Sequence, residues 1–188
     1  AWPKRQATDG VRFFEVVRHL RRLAPPDLRV CLDAGTFAAP VYRHFGFVWP
    51  QRLLAPLSGA MGYGVPAAVA TALREPEHPV VCMVGDGGFM MTGNEMILAV
   101  QRRLPILFVL ANNGSYASIR IHQERAYPGR QSGTDLFNPD FSAIARGFGL
   151  EVETVTEEAQ VAPALRRGLQ AGRPYFIEVK TSLKVTLP

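Results

Sequence analysis

Residues 85–113, GDGGFMMTGNEMILAVQRRLPILFVLANN, hold an acid in a glycine turn at one end and a pair of amides at the other. The segment leading in, PVVCMVGDG, is a continuous apolar run that ends in that turn. The segment leading out, PILFVLANN, is too hydrophobic on both faces of a strand to be solvated on either. Between them NEMILAVQRRL has helical spacing, and Thr92 and Glu95 stand at the separation of a capping box that would open the helix. Residues 81–113 therefore form a strand, a helix and a strand. A right-handed crossover of this length returns the second strand parallel to the first and beside it. Asp86 and Asn113 then converge at the carboxyl edge of the sheet. In open parallel sheets that edge is where ligands settle, especially where the strand order reverses.

The same alternation continues on either side. Val11, Phe14, Val17 and Leu20 recur at helical spacing, and Pro25-Pro26 stops that helix before the strand-like LRVCLDAG. The glycine-rich SGAMGYG precedes a helix over 64–73. Residues 114–137 are long, polar and without clear periodicity, the character of a functional loop. Asn138 is placed to cap a short helix, with Pro139 in its first turn. A last helix over 156–171 ends at Gly172, before the strand PYFIEVKT. Apolar strands alternating with amphipathic helices predict an α/β fold, an open and mostly parallel sheet with helices on both faces. Neither repeats nor a linker divide the chain, so residues 1–188 are taken as one domain.

The 188 residues are 47% hydrophobic and 20% charged, which argues against disorder. No apolar run reaches the roughly 18–20 residues that span a bilayer, and AWPKRQATDG lacks a signal peptide's apolar core, so no membrane partner and a cytoplasmic location are expected. The net charge is +5, but the basic residues come as scattered pairs such as Arg21-Arg22, Arg102-Arg103 and Arg166-Arg167. Such pairs fit solvated helix faces, and nucleic acid is not an expected partner. An anionic small molecule is compatible with the charge. Cys31 and Cys82 lie in strand-like segments and are expected to be buried thiols.

A carboxylate and an amide oxygen are hard donors of the kind Mg²⁺ takes, its octahedron being completed by water and phosphate oxygens. Glycines beside Asp86 let the backbone approach closely, and the N–H groups of Gly87 and Gly88 can face an anion at a helix start. A magnesium diphosphate is the ligand these features suggest. The pattern GDG, 24 intervening residues, then NN resembles the cofactor motif of the thiamine-diphosphate-dependent enzymes, a superfamily that includes acetolactate synthases and benzoylformate decarboxylases. The likeness runs from VCLDAGTF to PYFIEVKT and corresponds to their C-terminal diphosphate-binding domain. It implies that Asp86, the Asn113 side chain and the Ser115 backbone carbonyl hold Mg²⁺. It also implies that Gly87, Gly88 and Tyr116 surround the diphosphate of thiamine diphosphate, together with Gly35, Thr36 and Phe37 of the AGTF turn. SGAMGYGVPAA is similar to the family segment GxMGxGLPAA. By that likeness the Gly59 carbonyl accepts from the cofactor's exocyclic amine, and Met61 wedges between its two rings to impose a bent shape.

The resemblance further implies a partner: a pyrimidine-binding domain, from the same or a neighbouring subunit of a homo-oligomer, that supplies a glutamate. On this reading the chain is the C-terminal third of a larger enzyme and is inactive alone. The implied activity is acetolactate synthase-like, decarboxylation of a 2-keto acid substrate with or without carboligation. NPDFSAIARGFG is similar to acetolactate synthases, whereas NNGSYASIR is close to benzoylformate decarboxylases. A non-oxidative decarboxylase is therefore the alternative, and a non-catalytic cofactor-binding module a further one. Whether FAD binds a separate middle domain is left open. His122 stands where acetolactate synthases carry tryptophan; it is either a substrate-side proton donor or contact, or an exposed loop histidine. Arg120, Arg125 and Arg130 either steer a carboxylate or are simply solvated. Asp33 either caps its turn or contacts the cofactor. His19, His44 and His78 show no metal-ligand spacing.

Overall fold

The computed structural model describes residues 6–187. The start of the chain, considered above for a signal peptide, lies partly outside them. Six strands, β1 (Arg29–Leu32), β2 (Arg52–Leu54), β3 (Val80–Gly85), β4 (Ile106–Asn112), β5 (Glu151–Val155) and β6 (Tyr175–Lys180), form one all-parallel sheet in the order β2-β1-β3-β4-β6-β5. β3 and β4 are neighbours, in register from Val80 opposite Ile106 to Gly85 opposite Ala111. The adjacent, parallel pairing of these two strands expected from the sequence is therefore present. From β1 the chain moves outward to β2 and then returns to β3 on the other side of β1, so the winding reverses between β1 and β3.

The side-chain period of a strand explains how both faces are covered. On β4, Leu107, Val109 and Ala111 point to one core, and Ile106, Phe108 and Leu110 to the other. The first core is closed by α1 (Phe13–Leu23), α2 (Ala39–His44) and α8 (Glu158–Gln170), through residues such as Val17, Leu20, Val41 and Leu165. The second is closed by α3 (Gly64–Arg74), α4 (Asp86–Thr92), α5 (Met96–Gln101) and α7 (Phe141–Gly147), through Val65, Ala68, Phe89, Met96 and Phe141. Each fully buried Leu, Ile or Phe contributes about 1.5–3 kcal/mol of transfer free energy, which is why the central strands hold so few polar residues. Cys31 and Cys82 sit opposite each other in β1 and β3, both free and buried, and burial pushes the Cys31 thiol up to about 11. No helix among the described residues is long and apolar enough to cross a membrane.

Local structure departs from the sequence expectation in four places. The Thr92–Glu95 capping box does not form: the Thr92 hydroxyl donates instead to the Gly62 carbonyl at 2.8 Å, and helix begins earlier, at Asp86. Residues 114–137 are not all loop, since α6 (Ala117–Ala126) runs through them. Asn138 does not cap α7; Asp140 does, its carboxylate accepting from the Ala143 N–H at 2.8 Å. Finally, β2 and β5 are strands at the two edges of the sheet, with partly exposed, polar-interrupted sequences that lack the apolar signature of the central strands.

Candidate cofactor site

The carboxyl ends of β1, β3 and β4 enclose a cavity of about 210 Å³. Gly35, Thr36 and Phe37 line it from the turn after β1, and Gly59 and Met61 from the loop before α3. Asp86, Gly87 and Gly88 line it from the first turn of α4, and Asn113, Ser115 and Tyr116 from the turn after β4. The sheet brings these sequence-distant segments together because β1, β3 and β4 are adjacent and parallel, so their ends lie at one edge.

Asp86 is the organising group. It is 3% exposed, and its two oxygens are used unequally. Oδ2 accepts from the Gly114 N–H at 2.7 Å, the Asn113 N–H at 3.2 Å and the Asn138 amide at 2.8 Å, whereas Oδ1 accepts from the Gly87 N–H at 3.0 Å. Gly114 has φ of +67°, a conformation costly for residues with a Cβ, and this bends the chain so that its N–H reaches the carboxylate. The Asn113 amide oxygen accepts from the Ser115 N–H at 3.0 Å, and the Ser115 carbonyl accepts from the Ala117 N–H at 2.8 Å. Each of these oxygens has a second lone pair.

Burial pushes the Asp86 carboxyl above its ordinary range, while the Asn138 amide and the backbone N–H donors around it pull the other way. Asp86 takes part in no ion pair among the described residues. A buried carboxylate without a countercharge is costly, and coordination of a cation offsets that cost. The donor set fits a hard divalent ion: one carboxylate with a less saturated Oδ1, one amide oxygen and one backbone carbonyl. Among the described residues no group of three or more His, Cys, Asp or Glu side chains is placed to hold a metal, so a site of the kind softer metals use is not found there.

The glycines form a close-packed floor. A Cβ on Gly87 would lie 2.5 Å from Tyr116 and 3.0 Å from the methyl of Met61, and one on Gly88 would lie 2.6 Å from Asp33 Oδ2. Asp33 itself is fully buried; it accepts from the Ala34 N–H at 2.6 Å and the Gly62 N–H at 3.0 Å, and burial pushes its carboxyl up. Of the two roles open to it, these bonds give the capping one: it ties the turn after β1 to the loop before α3. The Gly87 N–H, expected to face an anion, is engaged by Asp86 Oδ1. Gly88 stands in the same first turn, where N–H groups lack intrahelical partners.

His122 is exposed on α6, outside the 210 Å³ cavity, and lines an adjoining chamber with Arg125. Arg120 is tied to Asp135 at 2.7 Å, and Arg130 lies over the Tyr127 ring. Neither lines the cavity. Sequence spacing misses Asn138 and Asn112, whose roles arise only from contacts across the fold. Asn138 donates to Asp86 and also to Asn112 Oδ1, at 3.0 Å, and the Asn112 amide donates to the buried Glu178 at 2.7 Å. Ser142 donates to the other oxygen of Glu178 at 2.8 Å. A polar chain thus runs from the cavity floor into the protein interior.

An open parallel sheet with helices on both faces, and a ligand cavity where its winding reverses, defines a doubly wound α/β domain of the cofactor-binding kind. Comparison with known proteins makes the class specific. Residues 33–179 match the family described as thiamine pyrophosphate enzyme, C-terminal TPP binding domain, and the chain belongs to that family. It is 31% identical over 181 residues to the acetolactate synthase isozyme 2 large subunit of Escherichia coli, covering 95% of this chain and 33% of that protein. It is 31% identical over 159 residues to the benzoylformate decarboxylase of Pseudomonas aeruginosa, covering 85% and 30%. With the acetolactate synthase large subunit of Parasynechococcus marenigrum the identity is 34% over 172 residues, covering 88% and 27%. The chain spans between about a quarter and a third of the length of these relatives. It is a thiamine diphosphate-binding domain homologous to acetolactate synthase large subunits.

Proposed function

We propose that this domain binds the diphosphate of thiamine diphosphate through Mg²⁺ and serves an enzyme that decarboxylates 2-keto acids, with or without ligation of the product to a second keto acid. The observation that carries the proposal is the convergence of the motif-derived residues, from Gly35 to Tyr116, on one cavity floored by a buried carboxylate that has no ion-pair partner among the described residues. Asp86 Oδ1, the Asn113 amide oxygen and the Ser115 carbonyl would hold the metal. Gly35, Thr36, Phe37, Gly87, Gly88 and Tyr116 surround the phosphates, with the Gly88 N–H offering a donor at the start of α4.

When bound, thiamine diphosphate supplies the acidic thiazolium carbon and the electron sink that 2-keto acid decarboxylation needs. The chain's own part is binding and orientation. The carbonyl of Gly59, which lines the cavity, would accept from the cofactor's exocyclic amine. Met61, whose methyl lies over Gly87, supports the ring system. Apolar Ile119, Met61 and Ala111 line this side of the cavity. A pyrimidine-binding domain of the same or a neighbouring subunit completes the other side, and the whole enzyme is, on this reading, homo-oligomeric and cytoplasmic. Product analysis tests it. The full-length protein, given Mg²⁺, thiamine diphosphate and pyruvate, benzoylformate, a dicarboxylic 2-keto acid such as 2-oxoglutarate, or paired keto acids, is expected to release carbon dioxide and an aldehyde or an acetohydroxy acid. Cofactor binding with no turnover of any of these keto acids would contradict the catalytic half of the proposal.

A further inference from the structure

Beside the cofactor cavity lies a chamber of about 470 Å³ that shares Ala34, Gly35, Thr36, Gly59 and Ser118 with it. One wall is α6. Ser118, His122 and Arg125 recur there at i, i+4 and i+7, which puts them on one face of the helix, and all three line the chamber. Tyr42 of α2 adds a phenol to the lining. A groove of about 330 Å³ adjoins through Thr36, Ile121 and Arg125 and contributes Arg12, Arg43 and His44.

The charge of these two spaces is one-sided. Among the described residues no Asp or Glu lines either of them. Arg12 is paired with Glu158, and Arg120 of α6, which lines neither space, is tied to Asp135. Arg43 and Arg125 form no ion pair among the described residues. Cations gathered in a concave space without acids to neutralise them set up a positive potential that concentrates anions. The cofactor cavity differs, since Ile119, Met61 and Ala111 give it apolar walls and Asp86 its only carboxylate among the described residues.

A 2-keto acid that loses carbon dioxide must hold its own carboxylate at the reacting carbon. A cationic wall in a neighbouring chamber therefore meets the other end of the molecule. We propose that the His122–Arg125 face recognises a second anionic group, so that the substrate class is a 2-keto acid with a distal negative charge, such as a second carboxylate. Arg125 is the specificity-determining residue, its planar fork suited to a carboxylate, and His122 supplies a further donor beside it. The inference rests on the reading that the adjoining cavity holds the cofactor.

The test uses unreactive probes on the full-length protein loaded with Mg²⁺ and thiamine diphosphate: glutarate as the dianion and butyrate as the monoanion, each titrated by calorimetry. Glutarate is expected to bind about ten-fold more tightly, as one added ion pair of modest strength gives. Arg125→Gln should remove that preference, Arg125→Lys should keep only part of it, because the charge remains but the planar fork is lost, and Arg130→Gln, outside both spaces, should leave it intact. Raising the salt should weaken glutarate more than butyrate. Equal affinities for the two probes, or a preference that survives Arg125→Gln, would overturn the inference. A parallel titration with thiamine diphosphate separates it from the reading beneath it. Failure of the wild-type protein to take up cofactor overturns that reading and this inference together, while normal uptake with equal probe affinities overturns this inference alone.

Discussion

Replacing Asn138 with alanine removes a side chain that holds the Asp86 carboxylate from across the fold. Asn138 makes two hydrogen bonds, to Asp86 Oδ2 at 2.8 Å and to Asn112 Oδ1 at 3.0 Å. The first has a charged acceptor and is worth about 1.5–3 kcal/mol; the second is neutral and worth about 0.5–1.5 kcal/mol. Asn112 Oδ1 would keep a long contact to the Gly114 N–H, at 3.3 Å. The expected loss is about 2–4 kcal/mol of stability, a fall in Tm of about 5–15 °C for a domain of this size. The more telling effect is on the cation. Asn138 occupies Oδ2, which leaves Oδ1 with the Gly87 N–H alone; on the proposal that Asp86 holds the cation, loss of such an orienting partner typically costs about 10–100-fold in metal affinity. Mn²⁺ serves as a paramagnetic stand-in, with the free ion followed by EPR in the full-length protein. Ser142→Ala, which cuts the same polar chain at Glu178, should lower Tm but leave Mn²⁺ affinity within about two-fold. If Asn138→Ala lowers Tm and leaves Mn²⁺ affinity unchanged, Asn138 is a structural tie and the orientation argument fails.

Three further outcomes are expected. Gly88→Ala should cost about 1–3 kcal/mol, because the new Cβ would stand 2.6 Å from Asp33 Oδ2 and Asp33 is pinned by two backbone N–H groups; an unchanged urea midpoint would show that the floor yields. Phe108→Ala should cost about 3–5 kcal/mol, since Phe108 is fully buried in the central strand β4 between β3 and β6, and a loss under about 1 kcal/mol in the same assay would contradict the packing described. The third concerns acid. The hydrogen bond from Arg12 holds the Glu158 carboxyl below its ordinary 4.5. The folded state then binds fewer protons than the unfolded one in that window, so the pair's contribution is complete above 4.5 and is lost as pH falls through the lowered value. The gap in Tm between wild type and Arg12→Gln should narrow between about pH 6 and pH 3; a constant gap would refute the assignment.

What is legible in the sequence follows from what each element buries. The central strands are apolar on both faces because both faces are covered, and VVCMVG and ILFVLAN can be read without ambiguity. The edge strands β2 and β5 cannot, because Arg52, Glu151 and Glu153 interrupt them where they meet solvent. α6 is hidden for a related reason: Ala117 is its only buried residue, so it carries no apolar stripe to betray the helical period. The cavity residues follow from motif likeness, and they line one space because the motifs fall at the ends of adjacent strands. Asn138 misleads because Asn-Pro has a local meaning, a helix start, that its long-range bond to Asp86 overrides.

Whether a cation bridges Asp86 and Asn113 to the cofactor's phosphates is tested most directly by calorimetric titration of the full-length protein with thiamine diphosphate. Saturable binding in Mg²⁺ that disappears when the ion is chelated is the predicted result. Binding of equal strength with and without the divalent ion would contradict it.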